Sequence, residues 1–166
     1  MRHDLIFQER VSSMRTLLTF VALTILCLAL LIWRVADSGF GAVAAAFLIL
    51  TIYFFFCILN YRVLVIRISE EGLQLIFGLF RWAVPWRTVA AARIDETSLW
   101  RIGGAGIHFS FIGGRYRAMF NFLEHQRVVI EFNKKRGLVR DIAFSTTRPD
   151  EILRIIETSI AARNTA

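Results

Sequence analysis

Two stretches of eighteen residues without a charged side chain constrain this chain most. Residues 16–33 contain 15 hydrophobic residues, and residues 42–59 contain 17. Eighteen residues of α-helix span about 27 Å, close to the thickness of the hydrocarbon core of a bilayer. The segment between the two stretches includes Gly39 and Gly41, which suit a tight turn between antiparallel helices. The sequence therefore predicts a transmembrane helical hairpin over residues 16–60, which excludes a purely soluble protein.

The two predicted spans contain no Asp, Glu, Lys, Arg or His. Transporters, proton relays and ion channels normally carry such residues within the membrane, so the hairpin is predicted to be an anchor. Cys27 and Cys57 lie inside the spans without metal-binding spacing. A cleaved signal peptide is the alternative for the first span. That alternative is disfavoured because the apolar core is long, no small-x-small site follows it, and a second span comes next.

The basic residues around the spans predict the orientation of the hairpin. The loop of the hairpin offers only Arg34, with Asp37 close by. The two outer flanks carry five arginines: Arg2, Arg10, Arg15, Arg62 and Arg67. The positive-inside rule then places both termini in the cytoplasm.

The N-terminal segment 1–15 is predicted to be an amphipathic helix on the cytoplasmic side. Phe7, Val11, Met14 and Leu18 fall at i, i+4, i+7 and i+11, which is one helical stripe. In the simpler interpretation this helix continues into the first span and lies partly in the membrane interface. The alternative is an amphipathic membrane sensor.

From Tyr61 onward the hydrophobic period changes from helical to two, which is typical of strands. Pro85 marks a break, because proline cannot donate to a central ladder. Gly113-Gly114 is typical of a tight hairpin turn. Seven strands are predicted, at 62–69, 73–80, 87–96, 107–112, 115–122, 127–133 and 138–145.

The alternation also predicts which side chains face the core. The predicted inward sets are Leu73, Leu75, Phe77 and Leu79; Ile107, Phe109 and Phe111; and Tyr116, Ala118, Phe120 and Phe122. His108 and Ser110 are predicted to face outward. A C-terminal helix is predicted from Thr147 as the N-cap, with Pro149 and two acids in the first turn. Residues 61–160 are thus expected to form an α+β domain, followed by a tail over 161–166.

The soluble region resembles the bacterial pleckstrin-homology-like (PH-like) domain of small membrane proteins. The resemblance covers about residues 61–160 and is carried by the order, lengths and turns of the elements and by the start of the domain directly after a hairpin. The segments that carry it are ISEEGLQLIFGLF, VPWRTVAAARI, IGGAGIHFSF and IAFSTTRPDEILRIIETS. The resemblance implies a seven-stranded, strongly bent antiparallel sheet or partly open barrel, capped by one C-terminal helix.

The resemblance further implies a non-enzymatic binding or assembly module at the bacterial cytoplasmic membrane. Lipid-binding members of the family are similar in carrying Lys and Arg around the first hairpin loop. Here that loop is Glu70-Glu71-Gly72, which would repel a phosphate. Recognition of an inositol phosphate at that loop is therefore not expected.

Neither catalysis nor a cofactor is predicted. The three histidines, His3, His108 and His125, belong to no HExxH pattern, and no CxxC or GxSxG pattern occurs. The segment IGGAGIHF lacks the GxGxxG spacing and opens a strand, so it is no dinucleotide fingerprint. The remote alternative is an enzyme with an unrecognised site. A cluster of His108 with carboxylates would support that alternative.

The net charge of +7 lies almost entirely in the predicted domain. Residues 60–166 contain 14 Arg and 2 Lys, compared with 10 Asp and Glu residues. A basic domain suits an anionic leaflet. Two arginine clusters are the candidate contact sites for lipid or a protein partner: Arg62, Arg81 and Arg87, and Arg101, Arg115 and Arg117.

The leading functional hypothesis is a scaffold or accessory subunit that binds another protein or itself. The alternative is a module that senses anionic lipids through arginine. Binding of nucleic acid would need aromatics such as Tyr116 and Phe120 at the surface. Because those residues are predicted to face inward, nucleic acid is not an expected partner, and no small-molecule substrate is expected either.

Overall fold

The computed structural model describes residues 5–164 and contains the predicted helical hairpin. Helix α1 covers Met14–Ser38 and helix α2 covers Ala42–Asn60. Both are long and apolar enough to cross a membrane. They pack side by side, with the ring of Phe20 6.5 Å from that of Phe54.

Nine strands in two sheets form the rest of the described chain, together with two further helices. The strands are β1 (Leu5–Ser12), β2 (Val63–Ser69), β3 (Gly72–Phe77), β4 (Phe80–Pro85), β5 (Val89–Ile94), β6 (Gly106–Ile112), β7 (Arg115–Asn121), β8 (Gln126–Arg136) and β9 (Val139–Thr146). A 3-10 turn at Trp86–Thr88 links β4 to β5. Helix α3 is a single turn at Leu99–Ile102, and helix α4 covers Pro149–Asn164.

The first sheet, sheet A, is an antiparallel meander in the order β1-β2-β3-β4. The second, sheet B, has the order β5-β8-β9-β7-β6. Its central pair, β7 and β9, is parallel, whereas its other pairs are antiparallel. The predicted mixture of hairpin, sheet and C-terminal helix is therefore present. However, the predicted single antiparallel sheet of seven strands is wrong for residues 5–164.

The main core lies between the two sheets, where alternate side chains of each strand meet. Sheet A contributes a fully buried row that includes Leu64, Ile66, Leu75 and Phe77. Helix α4 closes this core with the buried side chains Ile152 and Ile156, as its apolar periodicity predicts.

A second, smaller core covers the opposite face of sheet B. Ile102 of α3 is 1% exposed and packs with Met119, Val129 and Ala143. Sheet B is therefore buried on both faces near its centre. The sequence predicts that β7 has one apolar and one polar face. Burial of sheet B on both sides explains why the structure does not show this division.

The N-terminal segment is a strand rather than the predicted amphipathic helix. Strand β1 pairs with β2, with Ser12 opposite Val63 and Arg10 opposite Val65. Phe7 and Val11 are four residues apart, a spacing that suits one face of a strand as well as one face of a helix. The hairpin is thus inserted between two neighbouring strands, so the predicted domain 61–160 lacks one strand of its own sheet. Residues 1–4 of the segment 1–15 and 165–166 of the tail lie outside the described residues.

Three further local predictions are wrong. The predicted strand 73–80 is split by a turn, and Leu79 is 81% exposed instead of inward. The faces of β6 are reversed, since Phe109 and Phe111 are exposed and Ser110 is buried. The hydroxyl of Thr147 donates to Glu9 rather than capping α4.

The buried carboxylate of Glu9 ties β1 to the start of α4. It is 5% exposed and accepts hydrogen bonds from the hydroxyl of Thr146 and from the backbone N–H of Thr147, the latter at 2.9 Å. Three donors, counting the Thr147 hydroxyl, offset the cost of burying this charge.

Side chains from both helix ends bind the hairpin to the domain. Ser13 caps α1 by accepting from the N–H of Thr16, and the Thr16 hydroxyl accepts from the N–H of Leu123 at 3.1 Å. At the end of α2, the ring of Tyr61 lies 6.0 Å from Phe20 of α1 and 5.0 Å from Phe77 of the core. Aromatic packing therefore runs from the hairpin into the core without interruption.

Candidate functional site

Two groups among the described arginines differ in their ion pairing. The arginines of sheet B that are paired with carboxylates are Arg93, Arg115, Arg117 and Arg127. The exposed arginines on sheet A and on the link to the hairpin that have no carboxylate partner among the described residues are Arg10, Arg62, Arg67 and Arg81. This division decides which of the predicted contact residues are available to a ligand.

Arg117 is at the centre of a buried ionic cluster, defined here as Asp95, Arg117, Arg127 and Asp141. Its guanidinium lies 3.0 Å from an oxygen of Asp95 and 3.4 Å from an oxygen of Asp141. Arg127 approaches the other Asp95 oxygen to 2.9 Å. Arg117 is only 2% exposed, so this predicted lipid or partner contact is a structural residue instead.

Asp95 is held ionised by its neighbours. Burial alone raises the pKa of Asp95, but hydrogen bonds from Thr97 and Arg127 and the charge of Arg117 outweigh it, so the pKa lies below its usual range. The cluster contains two arginines and two aspartates. Its charges therefore balance, and it presents no net charge to a ligand.

Arg115 lies at the rim of the ionic cluster, with 45% of its side chain exposed. It is 3.3 Å from Glu131, and Arg93 approaches the same carboxylate to 3.1 Å. The hydrogen bond from Arg93 is the main reason that the pKa of Glu131 lies below its usual range. The structure thus brings together the predicted neighbours Arg115 and Arg117, but it places both of them in ion pairs.

Helix α3 is fixed over sheet B by polar contacts. The hydroxyl of Ser110 and Nε2 of His108 both bond the carbonyl oxygen of Ile102, the latter at 2.8 Å. Asn121 donates from Nδ2 to the carbonyl oxygen of Gly104 at 2.7 Å. Burial lowers the pKa of His108, and its bond to Ile102 offsets this only in part. His108 is therefore a neutral structural residue. No described carboxylate forms an ion pair with His108 among residues 5–164.

Arg101 lies on the outer side of α3 and is exposed, next to Trp100, which is 97% exposed. No salt bridge of the described residues involves Arg101. It shares no exposed surface with Arg117, which is buried.

The outer face of sheet A carries unpaired arginines, a set we call the basic face: Arg10, Arg67 and Arg81. All three are exposed. Arg10 and Arg81 occupy the two ends of one row across the sheet, with Val65 and Ile76 between them. The sequence alone predicts Arg81 as a contact residue but neither Arg10 nor Arg67, because the pairing of β1 with β2 is what brings Arg10 to this face.

Arg62 is exposed directly after the end of α2. Arg87 lies at the other end of sheet A, where it lines a cleft of about 1110 Å³ with Arg67, Glu70, Trp86 and Ser159 of α4. The cleft has charges of both signs, and the carbonyl oxygen of Arg87 accepts from Asn133. Arg62, Arg81 and Arg87 therefore do not form one site.

An exposed apolar surface lies on the edge of sheet B, which we call the aromatic edge: Phe109, Phe111 and Tyr116. Phe109 and Phe111 are 61% and 66% exposed. The rings of Phe111 and Tyr116 pack edge to face at 5.2 Å. Strand β6 is the last strand of its sheet, so one side of its backbone is unpaired by the described strands. Sequence reasoning missed this surface because it assigned these aromatics to the core.

Among residues 5–164, no three His, Cys, Asp or Glu side chains are grouped so that they could hold a metal ion. His125 bonds the carbonyl oxygen of Ser12 at 2.8 Å, which places it at the junction with the hairpin. His3 lies outside the described residues.

Comparison with known proteins identifies no relative: no family model matches the sequence, and neither a curated protein nor a solved structure is significantly similar to it.

Proposed function

We propose that this protein is a non-catalytic, membrane-anchored module of the PH-like type that acts as a scaffold or accessory subunit. Its domain faces the cytoplasm at the cytoplasmic membrane of a bacterium, as the arginines flanking the hairpin favour. Two apolar helices long enough to cross a bilayer support the anchor. The partner is another protein or a second copy of the chain.

The aromatic edge is the observation that carries this proposal. Large apolar side chains that are contiguous and exposed mark interaction surfaces in soluble domains. An unpaired strand edge next to them offers backbone donors and acceptors to an added strand. Phe111 and Tyr116 pair near the Ile112–Arg115 end of β6 and β7. That end lies away from the hairpin, because the opposite end carries Gly106 against Tyr61. The surface is therefore accessible to a protein in the cytoplasm.

Site-specific crosslinking of the full chain tests this proposal. A photoreactive amino acid at position 111 should give a discrete adduct with a partner or with a second copy. The double variant Phe109→Ser/Phe111→Ser should lose that partner or oligomer in mild detergent. Leu5→Ser is the matched control, since Leu5 is 53% exposed on the other sheet. The proposal is wrong if the double variant and Leu5→Ser leave the mass of the complex equally unchanged.

The basic face favours a second candidate function, binding of anionic lipid. Its three arginines have no carboxylate partner among the described residues, in contrast to those around the ionic cluster. A positive surface beside an anionic leaflet gains about 1 kcal/mol per basic residue near the membrane. Arg62, Arg81 and Arg10 lie towards the hairpin end of the domain, because Ser12 and Val63 form the last pair of the sheet there.

Binding of the full chain to lipid vesicles tests this second candidate function. The protein would be held in nanodiscs of neutral lipid and mixed with vesicles of rising phosphatidylglycerol content. Replacing Arg10, Arg67 and Arg81 by Gln should abolish a salt-sensitive association. Replacing Arg101, Arg140 and Arg154, which are also exposed, removes the same charge elsewhere. Equal effects of the two triple variants would mean that only net charge matters, which would contradict a specific basic face.

A further inference from the structure

The turn between β3 and β4, Gly78–Phe80, is fixed against the end of α2. The backbone N–H of Leu79 donates to the side-chain oxygen of Asn60 at 3.2 Å. A Cβ atom on Gly78 would lie 2.5 Å from the backbone oxygen of Asn60. Asn60 is itself 6% exposed and donates back to the carbonyl oxygen of Phe56. The position of this turn relative to the helix is therefore well defined.

The length of α2 sets the depth of the turn in a bilayer. Its 19 residues rise about 28 Å, and a hydrocarbon core is about 30 Å thick. Both ends of α2 then have to lie at the boundary between acyl chains and headgroups. Asn60 is the last residue of the helix, so a turn hydrogen-bonded to it lies in the headgroup layer.

The turn presents apolar side chains at this depth. Leu79 is 81% exposed and Phe80 is 43% exposed. Arg81 follows them directly in the chain, and Arg62 precedes β2, whose Leu64 pairs with Phe77 just before the turn. Both arginines are exposed and have no carboxylate partner among the described residues. Apolar and aromatic side chains accompanied by arginine are the composition that membrane interfaces favour.

We propose that the turn Gly78–Phe80 inserts Leu79 and Phe80 into the surface of the same bilayer that holds the hairpin. The inserted turn is a third point of attachment, beside α1 and α2, and it fixes the orientation of the domain on the membrane. This inference rests on the proposed membrane anchor. It goes beyond the proposed function, because it holds whichever partner the aromatic edge binds.

A matched residue at the opposite end of the domain makes the inference testable. Leu138 lies in the turn between β8 and β9 and is 75% exposed, nearly as much as Leu79. Strand β8 starts beside the hairpin, where His125 bonds the carbonyl oxygen of Ser12, and runs over 11 residues towards this turn, so we expect Leu138 to lie away from the membrane. The two leucines thus share residue type and exposure but differ in the predicted surroundings.

The experiment uses the full chain in nanodiscs, with Cys27 and Cys57 replaced by Ala. A nitroxide label is attached to Leu79→Cys, to Leu138→Cys or to Ile52→Cys, which lies exposed on α2. Power saturation compares the collision of each label with oxygen, which is concentrated in lipid, and with a water-soluble nickel chelate. We expect the Leu79 label to favour oxygen, as the Ile52 label does, and the Leu138 label to favour the nickel chelate severalfold.

The labels separate failure of the inference from failure of the anchor. If the Leu79 label behaves like the Leu138 label while the Ile52 label lies in lipid, the anchor stands and the inserted turn is wrong. If the Ile52 label is also in water, the anchor itself is wrong. A photoreactive amino acid at position 79 in the chain with both native cysteines provides a second measurement. It should form adducts with phospholipid, and adducts with protein alone would overturn the inference.

Discussion

At the scale of single residues, burial decides what each arginine does. Arg117 and Arg115 are neighbours in sequence on β7, yet Arg117 is 2% exposed and Arg115 lies at the surface. The guanidinium of Arg117 is buried between Asp95 and Asp141, so a phosphate or an acidic partner cannot reach it. Its Nε atom is buried without a hydrogen-bond partner among the described residues, which shows that the cluster is not fully satisfied. A double substitution of Arg115 and Arg117 would therefore test folding rather than binding.

The first prediction concerns Arg117→Ala. Removing one member of a buried ion pair leaves the other charge without compensation, which costs about 3–5 kcal/mol. We expect a loss of that order in the free energy of unfolding of the full chain in detergent. Arg81→Ala removes an exposed arginine that has no carboxylate partner among the described residues, and it should change stability by less than about 0.5 kcal/mol. Equal unfolding midpoints for the two variants would contradict the structural role of Arg117.

His108 makes stability depend on pH. Because burial lowers its pKa, the folded protein resists protonation there while the unfolded chain protonates below about pH 6.5. The folded state should thus lose stability as the pH falls from 7 towards 5. His108→Gln retains a donor for Ile102 but does not titrate. Thermal unfolding of this variant should show a shallower decline over that range, and identical pH profiles would refute the assignment.

At the scale of secondary structure, the sequence predicts which segments are strands better than which way they face. Period-two alternation found β2, β7, β8 and β9 because each carries a row of buried apolar residues. The alternation predicts the inward and outward faces of β6 the wrong way round. Phe109 and Phe111 lie exposed at an open edge, whereas His108 and Ser110 bond the carbonyl oxygen of Ile102. The alternation also missed β1, whose inward row contains the charged residue Glu9. In both strands a polar side chain is buried by a specific hydrogen bond that alternation cannot anticipate.

Gly78 and Gly113 provide a matched prediction about turns. Both have a φ of 58°, so alanine at either position adopts an unfavourable left-handed conformation, which costs about 1 kcal/mol. A Cβ atom would meet nothing within 4 Å at Gly113, but it would lie 2.5 Å from the oxygen of Asn60 at Gly78. We expect Gly78→Ala to lower the unfolding midpoint clearly more than Gly113→Ala. Similar losses would show that contact between the turn and α2 is loose.

At the scale of the whole molecule, the hairpin and the domain form one packed unit. The ring of Tyr61 contacts both Phe20 of α1 and Phe77 of the core. Hydrogen bonds from Leu123 and Leu79 reach Thr16 and Asn60 at the two helices. The sequence predicts the two parts separately. It cannot predict their junction, because its contacts join distant parts of the chain, such as Leu123 and Thr16, which are 107 positions apart.

The orientation of this unit gives a prediction about topology. Cysteine at position 38, in the hairpin turn, and at position 138, in the domain, would be compared in a background lacking Cys27 and Cys57. We expect a membrane-impermeant maleimide added to intact cells to label Ser38→Cys but not Leu138→Cys. Permeabilised cells should label both. The reverse pattern in intact cells would overturn the proposed cytoplasmic placement of the domain.

The position of the hairpin between β1 and β2 has a consequence for how the protein is made. With the proposed anchor, strand β1 leaves the ribosome before β2 and has no partner in sheet A until both helices have entered the membrane and β2 has followed them. A chain in which only one helix crosses leaves the two strands on opposite sides of the bilayer, and sheet A then cannot form. Glu9, Phe7 and Val11 would stay exposed, and quality-control proteases degrade such unfolded segments. Pairing of the first two strands therefore makes folding of the domain conditional on correct insertion of the anchor.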